Sequence, residues 1–204
     1  MTLRKVFAVA GIAAGVAAAA LVPANAAPHD PTPQDDDVSY LLLGWLTENT
    51  AIKLYDGALA GHWTVAERDA LNALKFSAMR ADGALHAAMG GDAPQDGDYE
   101  FVLPRGTLAT RASVLTLARK LERLAAGVYL DGVEEGTDPA TRRMLGTLLA
   151  QQAQHLDLLA GLRGLPPLSK LPGAIGPERA GEQLDPFLVL PGEPDDTANE
   201  GTTP

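Results

Sequence analysis

Cysteine is absent from all 204 residues, which removes disulfide frameworks, thiolate nucleophiles, zinc knuckles and the acylated cysteine of a lipid anchor. The fold must therefore rest on packing alone. Aromatic residues are scarce, at 5%, and 16 basic residues face 26 acidic ones for a net charge of −10. A polyanion of this kind repels nucleic acid and anionic lipid, and along the chain no basic cluster offsets the repulsion. Missing too are a Ser/His/Asp constellation, a phosphate-binding glycine loop, a haem motif and an aromatic-basic nucleic-acid surface. Those absences set aside the commonest routes to catalysis.

What is present begins with a processing signal. Arg4 and Lys5 form a short positive region, Val6 to Val22 is apolar and Ala-rich, and Ala24-Asn25-Ala26 offers small residues for cleavage. An uncleaved membrane anchor is the alternative, because the apolar run approaches spanning length. Pro23 and the Ala-x-Ala site favour cleavage after Ala26 and export. Cleavage would remove two cations and no acid, leaving 14 basic against 26 acidic residues. No membrane association is then expected of the mature chain.

The remainder divides by composition. Residues 27–37, containing PHDPTPQDDD, read as a disordered linker, with Asp35 to Asp37 placed where a helix N-terminus favours negative charge. Residues 38–164 carry four helical patterns. Val38, Leu41, Leu42, Trp45, Ile52, Tyr55 and Leu59 form the first apolar stripe. Thr64 and Glu67 have capping-box spacing at the head of the second, which ends at Gly90-Gly91. The third spans about Thr107 to Asp131, and Asp138-Pro139 starts a fourth that ends near Gly164. Residues 165–204 read as a Pro-rich and acidic extension, mostly irregular, with one short helix near Glu178 to Leu190 and a disordered tail.

Connection lengths fix the topology. Short turns near Gly61-His62-Trp63 and Glu135-Gly136-Thr137 make two antiparallel hairpins. Between them lies GDAPQDGDYEFVLPRG, residues 91–106. Extended, such a segment reaches roughly 50 Å, more than the roughly 37 Å of a 25-residue helix. It can cross the whole bundle and let the third helix run parallel to the second.

The hairpins also repeat. ENTAIKLY at 48–55 and ERLAAGVY at 122–129 both read Glu, Ala three residues on and Tyr seven residues on. RADGALHAAMGG and AQQAQHLDLLAG each place a histidine shortly before a small-residue helix end. Glu48 and Glu122 lie on or beside buried stripes, where an unpaired ionised carboxylate is too costly to persist. His86 and His155 are the natural partners; each has a polar neighbour on its own helix, Asp82 and Gln152 respectively. Tyr55 and Tyr129 sit on apolar stripes and read as packing, as does Trp45.

This arrangement, with FVLPRG, LERLAAGVYLDGV and DPATRRMLGTLLAQQAQHLDLLAGLRG, resembles the ferritin-like superfamily, and within it exported bacterial ferritin-like domain proteins. The resemblance covers about residues 38 to 164. It implies an all-α, ferritin-like four-helix bundle made of two antiparallel hairpins joined by a long crossover. In di-metal members a Glu from each of two helices and a Glu-x-x-His pair from each of the other two hold iron or manganese. Carried over, Glu48 and Glu122 take the places of the lone acids, and His86 and His155 those of the histidines. The preceding acids are replaced by Gly83 and Gln152, with Asp82 a rotated substitute for the first.

Two functions follow. In one the protein is a non-catalytic exported bundle whose Glu–His core is structural, acting through an envelope protein partner or as a homo-oligomer. In the other, Glu48, His86, Glu122 and His155, with Gln152 or Asp82, bind iron or manganese and support oxidase or storage activity.

Overall fold

The computed structural model describes residues 35–189, and their side chains from Asp37 onward. The export signal, most of the linker and the acidic tail lie outside the described residues. Four long helices form the body: α1 (Asp35–Leu59), α2 (Val65–Met89), α3 (Arg111–Glu135) and α4 (Pro139–Leu162). A shorter α5 (Pro177–Leu184) follows in the extension.

Capping sets the helix starts. Thr64 and Glu67 complete the expected capping box, and Asp138 accepts from the Thr141 amide at 2.7 Å ahead of Pro139. For α3 the start lies at Arg111 rather than near Thr107. Thr110 accepts from Ser113 N at 3.0 Å, so this threonine is the N-cap and the residues before it belong to a turn. α1 begins earlier than the linker boundary at residue 37. Asp37 is buried and accepts from Thr137 N, Thr137 Oγ1 and Asp138 N, each at 2.8 Å. A carboxylate first read as part of a solvated linker thus ties the head of α1 to the α3–α4 turn.

Two crossed hydrogen bonds give the helix directions. Tyr55 of α1 donates to Glu122 of α3, and Tyr129 of α3 donates to Glu48 of α1, so α1 and α3 are antiparallel. Each hairpin is antiparallel internally, which makes α2 and α3 parallel and obliges the connection between them to return along the bundle. It contains β1 (Glu100–Phe101) and is pinned by Trp45, whose indole meets Tyr99 and Phe101 edge-on at 6.0 and 5.7 Å.

The extension is more ordered than its composition predicts. β2 (Leu188–Val189) pairs antiparallel with β1, Glu100 opposite Val189. Ala180, Leu184 and Phe187 are buried, and Ile175 N donates to the Gly127 carbonyl at 3.0 Å. A Cβ at Gly127 would lie 2.6 Å from Ile175 Cδ1, so the missing side chain lets the extension lie directly on α3. The apolar residues of this short amphipathic stretch outweigh its prolines.

Two hydrophobic clusters fill the bundle. One includes Leu41, Leu85, Leu124, Val128 and Leu145; the other includes Leu54, Leu71, Leu115, Leu121 and Leu159. On α1, α3 and α4 the switch from one cluster to the other falls at Glu48, Glu122 and the Gln152–His155 turn.

Candidate functional site

At that mid-bundle level Glu48 and Glu122 are each 2% exposed, Gln152 is fully enclosed and His155 is 4% exposed. Helix spacing brings them there: Gln152 and His155 are three residues apart on α4 and share a face. Each acid is held by one tyrosine and one α4 side chain. Tyr129 Oη and Gln152 Nε2 both donate to Glu48 Oε1 at 2.7 Å. Tyr55 Oη donates to Glu122 Oε1 at 2.5 Å and His155 Nδ1 donates to Glu122 Oε2 at 2.9 Å.

Burial and neighbouring charge set the protonation states. Loss of water, reinforced by the Glu122 charge, raises Glu48 from its ordinary 4.5 to about 8, so it holds its proton at neutral pH. Burial pushes His155 down, but the charge and hydrogen bond of Glu122 push it up further, and the net direction is upward. Burial, then the adjoining carboxylates, drive both phenols well above the ordinary tyrosine range. The cluster therefore holds a neutral acid in Glu48, an imidazole drawn toward its charged form by the adjoining Glu122, and two phenolic donors. Each acid finds its hydrogen-bond donors within the cluster.

Two expected members are elsewhere. His86 is exposed on α2, its Nε2 3.2 Å from the Pro94 carbonyl and its ring 6.5 Å from that of Trp45. Asp82 accepts from Asn49 Nδ2 at 2.8 Å, outside the cluster. The repeat register explains both positions. Glu48 and Glu122, Tyr55 and Tyr129, and the N-caps Thr64 and Asp138 all stand 74 residues apart. At that offset Gln152 and His155 correspond to Ala78 and Ala81, which are buried at 0% and 2% exposure. His86 is five residues past Ala81, roughly 140° further round the helix. Pairing it with His155 by distance from the helix end thus selected the wrong face.

Reading Tyr55 and Tyr129 as packing also missed half of their role. Both are fully buried, and both supply hydrogen bonds to the core acids. The signal was present in the sequence, since each tyrosine follows its own Glu by seven residues, two turns along the same face.

Residues 36–164 match the family model of the ferritin-like domain, and the chain belongs to that family. No curated protein matches the chain.

The family's dinuclear pattern can be tested against this donor set. Both lone acids are present, but one Glu-x-x-His pair has become Gln152 and His155 and the other Ala78 and Ala81. Two of the six ligands are thereby lost outright, and a third is reduced to a neutral amide. Among the described residues no three His, Asp or Glu side chains are arranged to hold a metal ion. Two carboxylates cannot neutralise two divalent cations. The residues present do not fit a dinuclear centre.

Proposed function

We propose that this protein is an exported ferritin-like bundle that works without a dinuclear metal centre, as a non-catalytic partner-binding protein of the cell envelope. The observation that carries the reading is the self-satisfied core, in which tyrosine, amide and imidazole donors occupy both acids. Export is supported by Arg4, Lys5, the apolar run to Val22 and Ala24-Asn25-Ala26. The competing oxidase or storage reading needs His86 at the centre, whereas that ring lies on the exposed face of α2.

A second reading has one observation in its favour. His155 Nε2 and Gln152 Oε1 are buried without a hydrogen-bond partner, and together they could ligate a single divalent ion. The Glu122 bond to Nδ1 would remain in place, but one imidazole nitrogen and one amide oxygen are only two neutral ligands, which weighs against it.

Expression in a host that processes exported proteins should release a chain beginning at Ala27. After equilibration with iron, manganese or zinc and dialysis, that chain should retain no more metal than its Glu48→Ala/Glu122→Ala variant. An Ala78→Glu/Ala81→His/Gln152→Glu variant, which restores both motifs, should retain about two ions per chain. One wild-type equivalent abolished by His155→Ala would replace our reading with the single-ion one, and retention of residues 1–26 would overturn the export assignment.

A further inference from the structure

The chain is strongly acidic, yet α3, the end of α4 and the extension together enclose a cationic pocket of about 450 Å³. Arg119, Lys120 and Arg123 enter it from α3, Arg163 from just past α4, and Arg179 with Gln183 from α5. No Asp or Glu lines it. Five of the 16 basic residues thus converge on one concavity in a protein with net charge −10. None of the five forms a salt bridge among the described residues, and only Lys120 has a stacking partner, its Nζ lying 5.4 Å from the Phe187 ring centroid.

Surface basic residues ordinarily disperse or pair with acids, and 26 acids were available for pairing here. Gathering unpaired cations raises their mutual repulsion, which a bound anion would relieve. Four guanidinium groups supply the planar forks that match phosphate and carboxylate oxygens in pairs. The volume falls within the range of small-molecule sites, and the walls are tied down, Gly127 O holding Ile175 N beneath the pocket. Arg119, Lys120 and Arg123 are neighbours on α3; the fold adds Arg163 from the end of α4, and the docked extension adds Arg179 and Gln183.

We propose that this pocket binds a compact polyanion through its phosphate or carboxylate groups, at a site separate from the buried polar core. Titration calorimetry of the purified full chain with pyrophosphate and with citrate, at matched ionic strength in chloride, tests the proposal. One site per chain is expected for at least one of these probes, with affinity falling as salt rises. The stronger probe identifies phosphate or carboxylate as the recognised group. Arg123→Gln and Arg179→Gln should each weaken binding about tenfold, the loss expected for one charge-assisted hydrogen bond, with melting temperature unchanged. Lys75→Gln, remote from the pocket, should bind as wild type does. A chain ending at Gly192, which lacks the tail acids, should bind as well or better. Neither probe binding above chloride, equal binding by the arginine variants, or loss of binding on removing the tail would overturn the proposal.

Discussion

The α1–α2 hairpin and the α3–α4 hairpin place equivalent residues 74 positions apart, yet only the second sends polar side chains from its outer helix into the bundle centre. Thr64 matches Asp138 as N-cap, Leu71 and Leu74 match Leu145 and Leu148 in the core, and Glu48 and Tyr55 match Glu122 and Tyr129. Then Ala78 and Ala81 stand opposite Gln152 and His155. At those positions α2 offers only methyl groups and α4 an amide and an imidazole. Both acids can be satisfied from one side alone, because the two tyrosines supply the remaining hydrogen bonds. Alanines on α2 therefore need not leave either acid without a partner.

The sharpest way to break the comparison is at the two acids. Glu122→Leu strands a buried histidine and the Tyr55 hydroxyl, and should cost about 3–5 kcal/mol, the range for removing one partner of a buried pair. Glu48→Leu strands only neutral donors, Tyr129 and Gln152, and should cost about 1–3 kcal/mol. Glu122→Gln keeps an acceptor oxygen and should fall well below Glu122→Leu. Urea denaturation of the three variants gives the order; equal midpoints for the two leucine variants would mean that the halves are electrostatically alike.

A smaller effect separates α1 from α3 by packing. Gly44 and Ala118 are repeat equivalents. A Cβ at Gly44 would lie 2.7 Å from Tyr129 Cε1 and 3.3 Å from Leu85 Cδ2, whereas Ala118 is accommodated at 0% exposure. Gly44→Ala should lose about 1–3 kcal/mol to overpacking, outweighing the roughly 1 kcal/mol that alanine adds to a helix. A higher melting temperature for this variant would show that Tyr129 is free to move aside.

Much of this was legible in the sequence. Four apolar stripes, the caps Thr64 and Asp138 and the long 91–106 segment were enough for two hairpins and a crossover, because helix periodicity and capping are local. Glu48, Glu122, Gln152 and His155 were legible as polar residues on apolar faces. His86 was not placed, because its face depends on a register fixed by Ala78 and Ala81, two alanines that look like any others in an Ala-rich helix. The short helix in the extension was legible near Glu178, but its docking was hidden, since its hydrogen bonds run to Gly127 and to β1, distant in sequence. The cationic pocket shares that cause in part: Arg179 meets Arg119 and Arg123 only after the extension has docked.

The last test varies pH. Glu48 is raised from 4.5 to about 8, so the folded state binds its proton more tightly than the unfolded state and stability falls as pH rises between those values. His155 is shifted in the same direction from 6.5. Its contribution is complete below that value and is lost as pH climbs through the higher folded pKa. Both groups weaken the fold as pH rises, so the melting temperature should decline from about pH 4.5 to about pH 8, with the histidine adding its share above pH 6.5. Glu48→Gln keeps an oxygen for Tyr129 and Gln152 and mimics the protonated acid. It should match wild type near pH 4.5, exceed it at neutrality, where most of the Glu48 loss has already accrued, and flatten much of the decline. The decline that remains belongs to His155, whose α2 equivalent is Ala81. A wild-type melting temperature that is level across this range would mean that the two halves neutralise their acids in some other way.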